Sequence, residues 1–432
     1  MMVTLRDSAD GLLKTHVQWE DVEKNMQAAL GTTARFGPNK KVVHIGEGNG
    51  FQSRVGLVSC DWVGGEDGKS LPEKFALKIT SGLAIKDIEA NAALDKTQEY
   101  TPMNEEEWTK MENFLRDCHN LEATVYDYIR ALPHKFASPQ CYYTDKFSKD
   151  NHIRGQIALE YVSDSSIKHL YENHTLDRMK EIAREIGKMQ AVSFLNGVDT
   201  VLEELKMTDV FTLFWGNFKI ERCSKNIDSL RLVDDSPTMV KLVEETQQIF
   251  PEYFGSNLPV TLHKELGIKP VLVAGDMWSS NVLMDKESGR LKAFVDWQLA
   301  HLGTGCEDLF RIAFTALSSS QRRKHMDELL KEQYDSFVDN LHGENPPYTY
   351  EQLLDCAQLL MPHLGFFLAP MLMPMFKGIV MSSQMMEEQK AACQDIVLDK
   401  VRGIFEDILV YHRKNAASGR KFEWKQPKCG LE

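Results

Sequence analysis

The feature that most constrains the fold is a change of hydrophobic periodicity part-way along the chain. The first part is rich in strand-like segments and is interrupted by two segments with apolar residues at helical spacing, whereas the second part is mostly helical. The predicted strands are 41–46, 51–62, 74–80 and 156–162, and the predicted helices are 16–31, 105–132, 176–195, 236–250, 321–341, 349–360 and 384–413. This order predicts an α+β fold of two lobes with a cleft between them. The small β-rich N-terminal lobe is residues 1–162, and the larger helical C-terminal lobe is residues 163–432.

The charge of the chain argues against a nucleic-acid partner. Its 432 residues include 50 Lys and Arg and 63 Asp and Glu, a net charge of −13. The nearest approach to a basic run is Arg322-Arg323-Lys324, which we interpret as the solvated face of a helix. An acidic protein repels phosphate backbones unless its positive charge is strongly clustered. We therefore expect no nucleic acid among its partners.

One apolar segment, Leu359–Val380, is long enough to cross a bilayer. Because it contains three prolines, a histidine and a lysine, we predict a buried helical segment broken by proline, and no membrane partner. The N-terminus has no apolar core of signal-peptide length. The eight cysteines are scattered without a C-x-x-C pair, which is typical of unpaired thiols in a reducing compartment. We expect a cytoplasmic protein.

Three oxygen-bearing side chains are spaced around a predicted β-hairpin at residues 271–298. Asp276 and Asn281 stand as D-x-x-x-x-N, the spacing of a kinase catalytic loop, and Asp296 ends an apolar run. Phosphoryl transfer from ATP needs a carboxylate near the attacking hydroxyl and oxygen ligands for magnesium. The pattern predicts that Asp276 is catalytic and that Asn281 and Asp296 ligate Mg²⁺. The alternative is an ordinary hairpin flanked by capping Asp and Asn side chains.

Three further features would serve a nucleotide. A G-x-G-x-G loop at Gly46, Gly48 and Gly50 would let backbone N–H groups approach phosphates, although an ordinary hairpin turn has the same composition. Its spacing excludes a Walker-type loop. Lys78, on an apolar strand, is predicted to contact the α- and β-phosphates unless it faces solvent. Glu122, on the long predicted helix, is one of several glutamates there that could hold Lys78 in place.

Three motifs give the chain a family resemblance. GDMWSSN (275–281), DWQ (296–298) and GTGCEDL (303–309) resemble the signature of CHK kinase-like proteins, relatives of ecdysteroid kinases, choline kinases and aminoglycoside phosphotransferases. The segments THVQWEDVEKNMQAALGT and FGPNKK, near the N-terminus, resemble the branch that is abundant in nematodes. The likeness runs over nearly the whole chain.

The resemblance implies a bilobal protein-kinase-like fold and an enzyme that uses ATP and Mg²⁺. The implied substrate is a hydroxyl of a small molecule, such as a steroid, choline-like or sugar-like acceptor. The resemblance also implies that the backbone of Glu160, Tyr161 and Val162 forms the hinge that reads adenine. It further implies that Asp308 accepts N–H groups of the catalytic loop. The residues alone predict a helix N-cap at Asp308, and both functions are possible for one side chain.

Aromatic residues at 211–215 and 366–367 are candidates for the acceptor pocket, but core packing explains them equally well. The chain departs from the family pattern at Ala274, where the family has a histidine that supports the catalytic loop. This difference leaves a second hypothesis, a pseudokinase that binds nucleotide or a partner without turnover. A protein kinase is a distant third hypothesis, because no A-P-E-like anchor follows Asp296.

Overall fold

The computed structural model describes residues 3–45, 52–66, 68–94, 102–204, 220–381 and 383–419. The chain forms two compact units. The first comprises Met1–Leu132 and Pro139–Ser163, and the second comprises Pro133–Ser138 and Asp164–Glu432. The first unit is built around a β-sheet and the second is mostly helical, so the predicted α+β class is confirmed.

A five-stranded sheet forms the centre of the first unit. The described strands of this unit are β1 (Arg35–Phe36), β2 (Lys41–Ile45), β3 (Ser53–Ser59), β4 (Trp62–Val63), β5 (Lys74–Thr80), β6 (Cys141–Asp145) and β7 (Gln156–Glu160). The spatial order in the sheet is β2-β3-β5-β7-β6, and β1 pairs separately with β4. All these pairings are antiparallel. The predicted strand 51–62 divides into β3 and β4, and β6 is not predicted from the sequence.

The described helices of the first unit are α1 (Trp19–Leu30), α2 (Leu83–Leu94) and α3 (Glu105–Ala131). Helix α3 begins after Asn104 because that residue and Glu107 form a capping box. The side chain of Asn104 accepts the N–H of Glu107 (2.9 Å), and the carboxylate of Glu107 accepts the N–H of Asn104 (3.0 Å). Helix α2 is not predicted from the sequence.

Strand β5 separates the hydrophobic core of the first unit from a polar contact on the other face of the sheet. Phe75, Leu77 and Ile79 are fully buried in one core cluster with residues of α1. Because side chains alternate along a strand, Lys78 lies on the opposite face. The residue is only 8% exposed, so the alternative in which Lys78 faces solvent is wrong.

Helices make up most of the second unit. Those described are α4 (Leu176–Leu195), α5 (Val198–Glu204), α6 (Ile220–Asp228), α7 (Pro237–Tyr253), α8 (Leu258–Glu265), α9 (Glu307–Ala316), α10 (Ser319–Asp339), α11 (Tyr350–Met381) and α12 (Glu387–Ala417). Helix α4 packs along α10, and α11 packs along α12. The four shorter helices α5, α6, α8 and α9 are not predicted from the sequence.

Helix α11 is longer than predicted. The sequence predicts a segment broken by proline, but one helix runs through Pro362, Pro370 and Pro374. Within the described residues it is the one helix long and apolar enough to cross a membrane, and 83% of its most apolar window is buried inside the protein. Tertiary packing of this apolar surface stabilises the helix despite its prolines.

Within residues 271–298, two adjacent strands form the predicted hairpin, and a third strand belongs to a separate ladder. The described strands of the second unit are β8 (Ser165–Ser166), β9 (Val271–Val273), β10 (Val282–Asp285), β11 (Leu291–Phe294) and β12 (His301–Gly303). Strand β10 pairs with β11 and β8, whereas β9 pairs with β12. The chain leaves the direction of β9 at Gly275, whose φ is +78°, and so β9 does not continue into the hairpin.

The interpretation of Arg322-Arg323-Lys324 as a solvated face is wrong for Arg322. This side chain is 2% exposed, and Nη2 donates to Oδ2 of Asp407 in α12 at 2.6 Å. Arg323 donates to the other oxygen of the same carboxylate, also at 2.6 Å. Asp407 compensates the buried charge of Arg322 and ties α10 to α12.

Candidate active site

The chain turns at Gly275, directly after β9. A Cβ at this position would come 2.0 Å from the main-chain oxygen of Leu299, and the φ of +78° is a conformation that favours glycine. No other residue fits here without moving the backbone. The turn begins a segment that we call the 275–281 loop, which carries Asp276 and ends at Asn281.

Asp276 and Asn281 are joined within the 275–281 loop. Nδ2 of Asn281 donates to the main-chain oxygen of Asp276 at 2.8 Å and lies 3.4 Å from its carboxylate Oδ2. Nε2 of Gln298 reaches the same carboxylate oxygen at 3.5 Å. Because the amide nitrogen of Asn281 makes these contacts, its amide oxygen is the atom that remains to ligate a cation.

The pairing of β10 with β11 brings Asn281 and Asp296 to the same end of the hairpin. Val282 lies opposite Phe294, and the N–H of Val295 donates to the main-chain oxygen of Asn281 at 3.0 Å. Asp296 is the next residue. Its φ is +70°, a left-handed conformation that aspartate adopts more readily than most residues and that often marks functional sites.

This set of oxygen atoms suits magnesium. Mg²⁺ usually takes one or two carboxylates and completes its shell with water and substrate phosphates. Asn281 and Asp296 offer one amide oxygen and one carboxylate. Within the described part of the chain, no group of three or more His, Cys, Asp or Glu side chains could hold a metal. A cation at Asn281 and Asp296 would therefore depend on phosphate and water oxygens.

Asp308 of α9 holds the start of the 275–281 loop. Its carboxylate accepts the N–H of Ala274 at 2.8 Å and the N–H of Gly275 at 3.0 Å. The contact implied by the family resemblance is therefore present. The N-cap prediction is wrong, because α9 begins at Glu307 with Cys306 as its N-cap. Burial raises the pKa of Asp308 to about 6, although the two N–H bonds act in the opposite direction.

Ala274 is anchored through its main chain. Its side chain is buried, and its N–H is the group that donates to Oδ2 of Asp308. This bond does not depend on which side chain occupies position 274. The loop therefore keeps one buried support even though the histidine of the family pattern is missing.

A buried charged cluster beside the loop is not predicted from the sequence. His301 of β12 directs Nδ1 to the main-chain oxygen of Leu299 (2.9 Å) and Nε2 to Glu307 (3.2 Å). Glu307 also binds Nη2 of Arg311 at 2.8 Å. Burial alone would lower the pKa of His301, but Glu307 and the Leu299 carbonyl outweigh burial, and the pKa is raised. The cluster joins β12 to α9.

In the first unit, Lys78 and Glu122 form a buried ion pair. Nζ of Lys78 lies 2.7 Å from one carboxylate oxygen of Glu122 and 2.8 Å from the other. Glu122 is 1% exposed. Removing either partner would leave a buried charge without compensation, so each side chain holds the other in place. The predicted function of the pair in nucleotide binding stays a prediction.

A second buried contact between β5 and α3 is missed by sequence reasoning. Oγ1 of Thr80 lies 2.8 Å from Nδ1 of His119, and Nε2 of His119 lies 2.9 Å from the main-chain oxygen of Asp145. Burial lowers the pKa of His119 to about 4, so its ring is neutral at pH 7. Nε2 therefore donates to Asp145, and Nδ1 accepts from Thr80. The contact fixes the same register that pairs Lys78 with Glu122.

The remaining predicted site residues lie outside the described residues or around the end of β7. The glycines Gly46, Gly48 and Gly50 lie outside the described residues, as do residues 211–215. Glu160 ends β7, and its N–H donates to the main-chain oxygen of Gln140 at 2.7 Å. This N–H is therefore part of the sheet. The hinge function of Glu160 and Val162 stays a prediction.

Phe366 and Phe367 lie on α11 within the helical core. The ring centre of Phe366 is 5.3 Å from that of Phe250 and 5.2 Å from that of Tyr253. The guanidinium of Arg311 lies over the ring of Phe367, 4.4 Å from its centre. Both phenylalanines are buried. Core packing therefore accounts for their position.

Comparison with known proteins identifies the family. The family DUF1679, described as "Uncharacterized oxidoreductase dhs-27", matches residues 5–416. The chain belongs to this family. Two Caenorhabditis elegans proteins are also similar. "Uncharacterized kinase-like protein D1044.1" is 33% identical over 91 residues, 21% of this chain and 24% of that protein. "Uncharacterized oxidoreductase dhs-27" is 22% identical over 297 residues, 64% of this chain and 32% of that protein.

The chain thus spans about a quarter to a third of the length of these relatives. The resemblance to kinase-like proteins that the motifs predict is confirmed. Among solved structures, the microcompartment-associated aminopropanol kinase is 13% identical, with 93% of this chain and 99% of that chain covered and a TM-score of 0.42. Plasmodium vivax ethanolamine kinase is 12% identical, with 87% and 82% covered and a TM-score of 0.41.

Proposed function

We propose that the protein is an ATP- and Mg²⁺-dependent kinase that phosphorylates a hydroxyl of a small molecule. The observation that carries the proposal is the arrangement of Asp276, Asn281 and Asp296. Two of these residues are joined within one loop, and the third lies at the same hairpin end as Asn281. Phosphoryl transfer depends mainly on positioning and on neutralising charge, and this arrangement supplies groups for both.

In the proposed reaction, Asp276 orients the acceptor hydroxyl and accepts its proton as the new O–P bond forms, while the bond between the γ-phosphorus and the β–γ bridging oxygen breaks and ADP leaves. The contacts of its carboxylate with Asn281 and Gln298 limit its rotation. Asn281 and Asp296 would hold Mg²⁺, which when bound supplies positive charge to the phosphate oxygens. Asp308 keeps the main chain before Asp276 in place throughout.

For the nucleotide, we propose that Lys78, oriented by Glu122, contacts the α- and β-phosphates. The support for this assignment is the buried ion pair, which fixes the ammonium group on one face of β5. The glycines Gly46, Gly48 and Gly50 would approach the phosphates through their backbone N–H groups, and the main chain of 160–162 would read adenine. Steroid, choline-like and sugar-like acceptors remain the candidate substrates.

We do not propose the oxidoreductase activity that the family description names. Dehydrogenases of the dinucleotide-binding fold are built on a mostly parallel sheet. By contrast, every strand pair in the described ranges is antiparallel. In addition, the match to dhs-27 covers 32% of that protein, so its name can refer to a region that this chain does not match.

A pseudokinase is the second candidate, and Ala274 is the observation that favours it. A ring at this position would add packing and a polar contact that alanine lacks. Ala274→His tests this candidate directly. We expect phosphoryl transfer in the unmodified protein, since Asp308 already anchors residues 274 and 275. Transfer that appears only after the substitution would favour the pseudokinase.

Calorimetric titration of MgATP into the purified protein tests the proposed function. We expect binding with micromolar to millimolar affinity, and we expect Asp296→Ala to remove its metal-dependent part. Asp339→Ala, which removes an exposed aspartate at the end of α10, is the matched control and should leave binding unchanged. Unchanged MgATP binding in Asp296→Ala would contradict the proposal.

We also propose that the protein acts in the cytoplasm. Cys60, Cys141 and Cys306 are buried free thiols, the state that a reducing compartment maintains. The net charge of −13 disfavours nucleic-acid partners. Fractionation of cells that express a tagged protein would test the location, and recovery in the secreted fraction would contradict it.

A further inference from the structure

Helix α9 touches the 275–281 loop at two points. Asp308 accepts the N–H groups at the start of the loop, and Thr315 contacts Ser279 near its end. Asp308 and Thr315 are seven residues apart, which is about two helical turns and places them on one face of the helix. Asp308, Thr315 and Ser279 are all fully buried, with no exposed surface.

The hydroxyl of Thr315 is fully used in this contact. Its oxygen accepts the N–H of Ser279 at 3.1 Å and the hydroxyl of Ser279 at 3.1 Å. Its own proton is donated within the helix, to the main-chain oxygen of Ile312 at 3.1 Å or of Arg311 at 3.3 Å. A hydroxyl has one donor and two acceptor sites, and all three are occupied.

The position of Thr315 is itself fixed. Its main-chain oxygen accepts Nζ of Lys400 at 2.6 Å, and the same ammonium binds the main-chain oxygen of Leu170 at 2.7 Å. Lys400 is fully buried. The C-terminal end of α9 is therefore held by α12, and the contact with Ser279 is made by an element that cannot easily shift.

The two contacts define the path of the loop. The anchors at Asp308 and Thr315 are separated by about 10 Å along the helix axis. The five residues from Gly275 to Ser279 are joined by four Cα–Cα steps and span at most about 14 Å when extended. The chain between the two anchors can therefore follow few other paths. Asp276 lies within this part of the chain. Asn281 follows two residues after the second anchor.

We propose that Thr315 is a positioning residue of the active site. It touches neither nucleotide nor acceptor. Through Ser279 it holds the end of the 275–281 loop and so fixes the separation of Asp276 from Asn281. This inference rests on the proposed kinase function for its kinetic consequence, but the mechanical contact can be measured without activity.

Thr315→Val and Thr315→Ser test the inference as a pair. Valine keeps the shape but removes the hydroxyl, whereas serine keeps the hydroxyl. We expect Thr315→Val to lower kcat by about 10- to 100-fold, the size of effect that a misplacement of about 1 Å produces, with KM for ATP little changed. Thr315→Ser should retain most of the wild-type kcat.

Thr246→Val is the matched control. Thr246 is also fully buried in a helix, but among the described residues its hydroxyl bonds only to main-chain oxygens of that helix, at 2.7 Å and 3.1 Å. The same substitution there should leave kcat unchanged. If Thr246→Val lowers kcat as much as Thr315→Val does, the loss of activity reflects general destabilisation of the helical unit, and the inference is wrong.

Amide hydrogen exchange of the loop, measured by mass spectrometry, separates the inference from the proposed function. Faster exchange of the 275–282 peptide in Thr315→Val, but not in Thr315→Ser, supports the anchor even if the wild-type protein transfers no phosphate. Lack of transfer would instead overturn the proposed function. Unchanged exchange in Thr315→Val overturns the anchor. If Thr315→Val fails to fold, Thr315→Ala removes the hydroxyl without placing a methyl group against Ser279, and unchanged loop exchange in that variant overturns the anchor too.

Discussion

Nδ2 of Asn281 donates a hydrogen bond of 2.8 Å to the main-chain oxygen of Asp276 and thereby closes the 275–281 loop on itself. The bond sets the orientation of the amide, so its oxygen rather than its nitrogen is available to a cation. It also couples the predicted metal ligand to the backbone of the predicted catalytic residue. One side chain thus holds the loop and is also the predicted metal ligand.

We expect Asn281→Ala to raise the Mg²⁺ concentration needed for half-maximal activity and to lower kcat, because it removes both a ligand and the loop closure. Asn340→Ala is the matched control. Nδ2 of Asn340 donates to the main-chain oxygen of Ser336 at 2.7 Å, a similar bond at the end of α10. The measurement is a Mg²⁺ titration of phosphoryl transfer at saturating ATP. Equal effects of the two substitutions would contradict a special function for Asn281.

Gly275→Ala should destabilise the protein more than a substitution at an equally strained glycine. Both Gly275 (φ +78°) and Gly267 (φ +65°) have left-handed backbones, and alanine in such a conformation costs about 1–2 kcal/mol. Only at Gly275 would the new Cβ meet a main-chain oxygen, that of Leu299 at 2.0 Å, whereas the Cβ at Gly267 meets nothing within 4 Å.

The expected difference between these two alanine variants is at least about 2 kcal/mol in the free energy of unfolding, since a main-chain clash must be relieved by moving β12 or the loop. Urea denaturation of both variants measures it. Equal losses of stability would show that the backbone around Leu299 can move at little cost in free energy, and that Gly275 is not required for the turn.

Lys78→Met should lower the free energy of unfolding by about 3–5 kcal/mol, because Glu122 then remains as a buried charge without its partner. Adding Glu122→Leu should recover much of this stability while MgATP affinity stays low. Lys110→Met is the matched control, since its pairing with Glu106 is exposed and contributes little. Titration calorimetry and denaturation together test the prediction. MgATP affinity that recovers in the double variant would contradict the predicted contact of Lys78 with phosphate.

The raised pKa of Asp308 predicts opposite effects of pH on the stability and on the activity of the protein. Its pKa of about 6 in the folded protein is above the ordinary value of about 4, so the folded state holds the extra proton between these pH values. The stability that this carboxyl contributes is therefore present below pH 4 and is lost as the pH rises through 6. The carboxylate, however, is the form that accepts both N–H groups of the loop.

Lowering the pH from 7.5 to 5 should accordingly reduce kcat as Asp308 becomes protonated, without a loss of stability from this group. Asp308→Asn removes the titration, so its kcat should be low throughout and should lack the step near pH 6. Parallel pH profiles of kcat and of urea denaturation check this. A step near pH 6 that persists in Asp308→Asn would assign the titration to another group.

The sequence predicts those strands and helices whose hydrophobic periodicity is visible within the element itself. The alternation in β5 and the helical spacing in α3 are complete within a few residues, and Lys78 and Glu122 follow from them as candidates. The choice of Glu122 among the glutamates of α3 depends on register. That register is fixed by Thr80 and His119, whose contact joins residues 39 positions apart.

Contacts between distant residues explain what sequence reasoning missed. The pairing of β9 with β12 involves three-residue strands that show no local alternation. No local pattern in the sequence marks Ser279 or Thr315 as partners, yet they meet across 36 positions. Asp308 looks like an N-cap from its neighbours, and only the tertiary structure shows that its acceptor atoms face Ala274 and Gly275.

The most direct test of the proposed function is transfer of the γ-phosphoryl group of ATP to a small molecule in a metabolite extract, detected by mass spectrometry. Wild-type protein, Asp276→Asn and the control Asp339→Ala would be compared with and without Mg²⁺. We expect one class of hydroxyl compound to gain a phosphoryl group with the wild type and the control, only when Mg²⁺ is present, and not with Asp276→Asn. A phosphorylated product formed equally by Asp276→Asn, or no product from the wild-type protein in any extract, would contradict the kinase function.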